Sequence, residues 1–185
     1  NNPIERVFKP TANSGGQITT FKNSEQAVIF GAEIEMLLQL SRISESLSNF
    51  SLGFNTSLMS TDVKVDPTMQ GNELENSTNR KLQGASNWLI NSDLKYDFIL
   101  NKDWKNAMTV VYNVYGDRIF AVGSSGIDHI YEKSFSKLDF FWTNSISKNI
   151  ELKFGIDNIL NPSYREELGS KSTMKITEDS LLLKE

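Results

Sequence analysis

The sequence feature that most constrains this chain is a strict two-residue alternation that begins at Trp88. The even-numbered side chains are bulky and mostly apolar: Trp88, Ile90, Ser92, Leu94, Tyr96 and Phe98. The odd-numbered side chains are mostly polar: Leu89, Asn91, Asp93, Lys95 and Asp97. Because successive side chains of a strand point to opposite faces, the stretch predicts a β-strand with one apolar face. A soluble sheet with one solvated side has the same pattern, so either a protein core or lipid could cover that face.

The same alternation returns along most of the chain. Residues 1–9 predict the end of a strand, and further alternating stretches predict strands within 17–42, 50–58, 108–115, 138–146 and 150–157. We therefore predict an all-β fold for residues 1–185, an antiparallel up-and-down meander of about seven strands that forms part of a transmembrane β-barrel. The small polar residues opposite the apolar face of 50–58 are typical of the inside of a barrel.

An α-helix is the alternative for residues 30–40. The segment has high helix propensity, and Ile34, Leu37 and Leu38 would share one helical face. A strand accounts for more of the pattern, because six apolar positions alternate there and only three fit the helical spacing. We therefore predict a strand.

Long and short connections alternate along the chain. Long loops are predicted at about 10–16, 61–79, 123–133 and 161–185, and short turns at about 44–48, 101–105 and 147–149. A meander with its short turns at one end and its long loops at the other is typical of an outer-membrane barrel. Aromatic residues near the strand ends, including Tyr96, Phe98 and Trp104, fit the girdles of such barrels.

Composition excludes several classes of function. The 185 residues carry a net charge of −4, which argues against a nucleic-acid partner, and there is no cysteine for disulfides or thiolate metal sites. No apolar run approaches the ~18 residues of a membrane helix, but barrel strands need only ~10 alternating residues. Length and charge therefore leave a strand-built membrane protein open.

Four stretches resemble motifs of TonB-dependent outer-membrane receptors, in the order the family has them. The stretch 80–98 resembles the R-x-L-Q-G-A-S-P-W-L-I-N strand, with Asn87 where that pattern has proline. Residues 23–35 are similar to the N-x-x-x-A-x-x-x-G-x-E strand, and residues 112–119 to a strand near the end of the barrel. Residues 157–164 resemble the N-L-x-N-x-x-Y motif.

The resemblance implies a C-terminal part of a plugged barrel of ~22 strands in the outer membrane of a Gram-negative bacterium. It implies energised uptake of an external siderophore, vitamin, glycan or peptide. The expected partners are the rest of the barrel with its plug, the TonB energising system, the lipid bilayer and possible surface lipoproteins. We expect the plug, the N-terminal barrel strands and the last strand to lie outside this sequence, and we expect no enzymatic activity.

The polar faces of the strands are predicted to face the lumen. The residues assigned there are Glu33, Glu35, Asn55, Asn91, Asp93, Lys95, Asn113, Asp139, Glu151, Lys153 and Asp157. Hydrated charges that pair with one another and with the plug explain this set, and lining a solute path is the alternative. Arg118 shares the parity of the apolar face, so it is predicted at the extracellular rim, where a cation is tolerated.

No residue set indicates catalysis or a metal, and no cofactor is predicted. His129, the single histidine, falls in a predicted loop beside Asp128, where a solvated side chain is expected. The ligand-binding residues are not identified by the sequence. Two other functions remain open: a receptor-like barrel that serves as a structural or adaptor subunit of an envelope assembly, and a soluble β-barrel binding module.

Overall fold

The computed structural model of the protein describes residues 3–10, 16–24, 26–65, 79–102, 104–124, 127–169 and 175–176. These ranges are mainly β-structure, and their only helical turns are two 3-10 helices at Leu40–Arg42 and Glu45–Leu47. The predicted all-β, predominantly antiparallel fold is therefore confirmed. The strands form two sheets, which we call the main sheet and the rim sheet.

The main sheet is the predicted meander. Its six long strands are β3 (Gln26–Gln39), β4 (Phe50–Lys64), β6 (Trp88–Asn101), β7 (Trp104–Tyr115), β10 (Phe135–Ser147) and β11 (Ile150–Ile156). Each is antiparallel to its neighbours, and their order across the sheet is β11-β10-β7-β6-β4-β3. The two-residue strand β5 (Asn79–Arg80) pairs with the end of β4. The order runs from one open edge at β11 to another at β3, and no pairing between the two is seen in the described part of the chain.

The rim sheet is built from segments that lie between the long strands. Its strands are β1 (Ile4–Pro10), β2 (Gln17–Asn23), β8 (Arg118–Gly123), β9 (Ile130–Glu132), β12 (Glu166–Leu168) and β13 (Lys175–Ile176). Their order across the sheet is β13-β12-β9-β8-β1-β2, and β1 and β8 are parallel. The chain passes between the two sheets at four points: from β2 to β3, from β7 to β8, from β9 to β10 and from β11 to β12. These four points lie at one end of the main sheet, opposite the short turns.

Several predicted boundaries need correction. Residues 17–42 are not one strand, because the chain breaks at Ser24, whose backbone N–H donates to the Pro3 carbonyl at 2.8 Å. The strand predicted for 30–40, in preference to a helix, is confirmed up to Gln39. The first strand, predicted at 1–9, is observed over Ile4–Pro10 and belongs to the rim sheet, while residues 1–2 lie outside the described ranges. Arg118 begins β8, three residues after β7 ends, so the parity of β7 does not reach it.

The predicted loops also contain more structure than expected. The loop 123–133 includes β9, and 161–185 includes β12 and β13. Strand β4 continues to Lys64 inside the predicted loop 61–79, of which 66–78 lie outside the described residues, as 11–15 do for the loop 10–16. The turn at 101–105 is tighter than predicted, since only 102–103 separate β6 from β7.

Burial is concentrated in the rim sheet. Val7, Ile119 and Val122 form a small apolar cluster, at most 2% exposed, with Tyr131 packed against it. The main sheet is a single layer instead. Its apolar side chains remain open, with Phe30 at 79% and Phe154 at 53% exposure. A compact protein core over that face, one of the two coverings that the sequence left open, is absent from the described structure.

Candidate functional site

The polar face of the main sheet carries a continuous row of polar side chains. Cross-strand pairing aligns them over five strands: Glu35, Asn55, Asn91, Asn113 and Lys137. The Asn91 amide Nδ2 donates to Asn55 Oδ1 at 3.4 Å, and Asn55 Nδ2 donates to Glu33 Oε1 at 2.6 Å. Because residues paired across strands share a face, this register fixes the row on one side of the sheet.

Ion pairs occupy the same face nearer the short turns and at the β10–β11 edge. Lys95 Nζ lies 2.9 Å from Asp97, and Lys153 Nζ lies 3.0 Å from Glu151. Lys137 Nζ bridges two carboxylates, at 2.9 Å from Asp139 Oδ2 and 3.7 Å from Asp157 Oδ1. These pairs connect neighbouring side chains in a solvated surface, where each contributes little to stability.

The pairing registers place ten of the eleven residues predicted to face the lumen on this one face. The eleventh, Asp157, follows the end of β11 and lies 3.7 Å from Lys137 Nζ of that face. Glu33 and Glu35 are exposed on it, and within the described ranges neither forms an ion pair. The face therefore presents two carboxylates and an amide row that are available to a further segment or to a ligand. The register shows a shared face, and the lumen itself belongs to the proposal below.

Aromatic side chains line the apolar face near the short turns. The rings of Phe50 and Tyr96 stack with centroids 4.6 Å apart, and those of Trp142 and Phe154 lie 5.5 Å apart. Pairing aligns Phe50, Tyr96, Met108, Trp142 and Phe154 in one row across the sheet.

Two indoles in this aromatic band are held by amides of the same face. Trp104 Nε1 donates to Asn144 Oδ1 at 2.7 Å, and Trp142 Nε1 donates to Asn106 Oδ1 at 3.1 Å. Rings with an apolar body and a satisfied polar tip are typical of a membrane–water interface.

The apolar face of β6 runs from Trp88, near the rim sheet, to Phe98, near the short turns. Ten residue steps of about 3.3 Å make it about 33 Å long along the strand. A strand of this length, tilted by about 40° as strands of outer-membrane barrels are, would rise about 25 Å.

A buried ion pair joins the rim sheet to the segment before β6. The Arg80 guanidinium binds Glu5 through two bonds of 2.7 Å, and both side chains are 2% exposed. The Ser24 hydroxyl also donates to Glu5, and the Gln83 backbone N–H donates to Glu5 Oε1 at 3.1 Å. Burial alone would raise the pKa of Glu5, but the Arg80 and Ser24 contacts outweigh it and hold the pKa below its usual value.

We call the Glu5–Arg80 ion pair with its Ser24 contact the clamp, and three further residues of the Arg80–Phe98 motif bond to strands next to it. Gln83 links β1 to β8 by accepting from the Arg6 N–H and donating to the Phe120 carbonyl. Gly84, with φ +76°, donates its N–H to the Ile119 carbonyl at 2.9 Å. The Asn87 carbonyl accepts from the Met59 N–H at 2.8 Å. Since proline has the same carbonyl, the departure at Asn87 leaves this bond intact.

A second charged cluster holds the end of the rim sheet. Arg118 binds Glu132 through two bonds of 2.9 Å, and Glu132 pairs across the strands with Glu166. Burial raises the pKa of Glu166, the neighbouring Glu132 charge raises it further, and the Tyr164 hydroxyl and Arg6 oppose the shift. Two buried carboxylates therefore meet where β12 joins β9.

His129 has a structural position. Its Nδ1 accepts the Gly123 N–H at 3.0 Å, and its ring meets Tyr131 edge-on at 6.2 Å. No group of three acidic or histidine residues in the described ranges could hold a metal ion. The polar face could be predicted from the sequence, whereas the Glu5–Arg80 ion pair could not, because nothing in the sequence marks Glu5 as the partner of the motif around Arg80.

Comparisons with protein-family models, with curated proteins and with solved structures return no match for this chain. Among the described residues there is also no helix with the length and hydropathy required to cross a membrane.

Proposed function

We propose that this chain forms part of the barrel wall of a TonB-dependent outer-membrane receptor, which takes up an external ligand with energy supplied from the inner membrane. The observation that carries the proposal is the single-layer meander with two unlike faces. One face exposes large apolar side chains over about 25 Å, and the other carries amides and charges. In water, so large an exposed apolar face would be an aggregation liability.

The placement of the connections supports the same proposal. Turns of a few residues join β6 to β7 and β10 to β11 at one end, while the rim sheet gathers the longer segments at the other end. In the proposed barrel the short turns are periplasmic and the rim sheet is extracellular, where it meets the ligand. Lipid covers the apolar face, and a surface lipoprotein has its access from the rim.

The polar face becomes the lumen in this arrangement. Glu33, Glu35 and the amide row then meet either the plug or the passing solute. The two edge strands, β3 and β11, pair with the remaining strands of the barrel. No chemistry beyond binding and passage is required of these residues, which fits a transporter better than an enzyme.

A pair of lysine substitutions in one strand tests which face meets lipid. Leu94 lies near the middle of the apolar face of β6, and Asn91 lies on its polar face. In the full-length protein, Leu94→Lys should cost about 2–4 kcal/mol in lipid. Outer-membrane insertion, measured by fractionation and by heat-dependent gel mobility, should fall for Leu94→Lys and not for Asn91→Lys.

Two outcomes would contradict the proposal. If both variants insert as the wild type does, the apolar face does not meet lipid. If the full-length protein is monomeric in detergent-free buffer and unfolds cooperatively, the membrane proposal is wrong and the soluble binding module replaces it.

A further inference from the structure

Arg6, in the rim sheet, is a cation whose guanidinium is held against an aromatic ring and forms no ion pair with a carboxylate among the described residues. Its guanidinium carbon lies 4.6 Å from the centroid of the Phe120 ring. Within the described ranges Arg6 forms no ion pair, although its charge acts on nearby Glu166. A guanidinium that is fixed by an aromatic face and lacks a counter-ion is prepared to bind an anion.

A β-bulge presents the ring on which Arg6 rests. The pairing of β8 with β9 shifts between Ile119 and Ala121, so Phe120 is an extra residue without a cross-strand partner. Bulges redirect side chains and are frequent beside binding sites. Here the bulge brings Phe120 under the guanidinium of the neighbouring strand β1, and Gln83 fixes both strands by its bonds to Arg6 and Phe120.

A groove of about 390 Å³ surrounds this cation. Ile4 and Phe21 line it and are 72% and 68% exposed, with Phe21 directly across the strand pair from Arg6. Arg118 and Glu132 lie on its other side and neutralise each other at 2.9 Å. The residues that line the groove therefore combine apolar walls with one excess positive charge, and the carboxylate of Glu166, on which Arg6 acts, is not among them. The volume of the groove is within the range of small-ligand sites.

We propose that this groove binds the carboxylate of an organic anion that has an apolar or aromatic body. The Arg6 guanidinium holds the carboxylate, and Ile4 and Phe21 contact the body. Binding from the cell exterior rests on the proposed function, because that function places the groove outside the cell. The binding itself adds to the proposed function a charge class for the ligand. A neutral molecule of the same shape binds more weakly because it leaves the guanidinium unpaired.

Two fluorescent probes separate the charge from the body. Dansyl-phenylalanine carries a carboxylate, and dansyl-phenylalanine amide has the same body without it. With full-length protein in detergent, fluorescence titration should give about tenfold tighter binding of the carboxylate probe. Arg6→Gln should remove that preference, a loss of about 1.4 kcal/mol, and leave the affinity for the amide unchanged. Arg42→Gln, an exposed arginine at the opposite end of the protein, is the matched control and should change neither affinity.

Phe21→Ser tests the apolar wall independently, and its exposure makes a folding defect unexpected. It should weaken both probes by a similar factor. The proposal is overturned if the wild type binds both probes equally, if Arg6→Gln behaves as Arg42→Gln does, or if Phe21→Ser changes neither affinity. These outcomes are distinct from a failure of the membrane proposal, because carboxylate preference is measured on purified protein and insertion is measured by the lysine substitutions in β6.

Discussion

Removal of one partner of the Glu5–Arg80 ion pair should detach the rim sheet while leaving the main sheet intact. Arg80→Met deletes two bonds of 2.7 Å to Glu5, and leaves a carboxylate that is 2% exposed with only the Ser24 hydroxyl and the Gln83 N–H. Two charge-assisted bonds at about 1.5 kcal/mol each give about 3 kcal/mol. An unpaired buried carboxylate brings the expected cost to about 3–5 kcal/mol.

Amide hydrogen exchange of the full-length protein measures this cost locally. The reporters are the Ser24 N–H, bonded to the Pro3 carbonyl, and the Gly84 N–H, bonded to the Ile119 carbonyl. About 3–5 kcal/mol corresponds to a loss of about two to three and a half decades of protection. If the rim sheet of the wild type opens at a smaller free energy than this, its amides should lose all their protection. Amides of β6 and β7 should keep their protection.

Two further variants make the result decisive. Lys95→Met breaks an ion pair whose side chains are 42% and 53% exposed, so it should change protection by less than about 1 kcal/mol. The double variant Glu5→Gln with Arg80→Met removes both charges and should recover part of the loss. If Arg80→Met affects the two reporters no more than Lys95→Met does, the clamp does not hold the rim sheet.

Two further predictions concern strand pairing. A Cβ at Gly31 would lie 2.6 Å from the Leu58 backbone carbonyl oxygen, so Gly31→Ala should destabilise the β3–β4 pair by about 1–3 kcal/mol in denaturant unfolding. Gly155→Ala meets only the Phe141 ring and should cost less; equal costs would contradict the close approach. The raised pKa of Glu166 stabilises the β9–β12 pair below about pH 4.5 and loses this effect as pH rises through the folded-state value. The Lys133 N–H donates to the Arg165 carbonyl at 3.0 Å beside this pair, so its exchange protection, corrected for intrinsic rate, should fall with rising pH. Glu166→Gln should abolish the dependence.

The faces of the main sheet could be predicted from the sequence because a strand's periodicity is local. Once Asn91 and Leu94 are on opposite faces of β6, antiparallel pairing carries the assignment to β4 and β7, and each neighbouring strand repeats it. The amide row follows from the same alternation. Its exact register required the structure, since a shift of two residues would preserve both faces and move every partner.

The rim sheet could not be predicted, since contacts far apart in sequence create it. Glu5 and Arg80 are 75 residues apart, and the parallel pairing of β1 with β8 joins residues still farther apart, Val7 and Val122. Residues 22–26 are all polar and include Asn23 and Ser24, residue types that are common in turns, so a weak local signal does divide β2 from β3. Gly116 and Asp117, which are also common in turns, separate Arg118 from the end of β7 in the same way.

The free edge of β3 argues that this sheet reaches lipid only as part of a closed wall. Strand β3 has 14 residues and, within the described part of the chain, pairs only with β4, so about half of its N–H and C=O groups point away from the sheet. Each unpaired group costs several kcal/mol in hydrocarbon. Even a few such groups exceed the roughly 5–15 kcal/mol that stabilise a folded domain. The proposed membrane location therefore requires further strands along β3 and β11, and membrane insertion of the main sheet without them would contradict it.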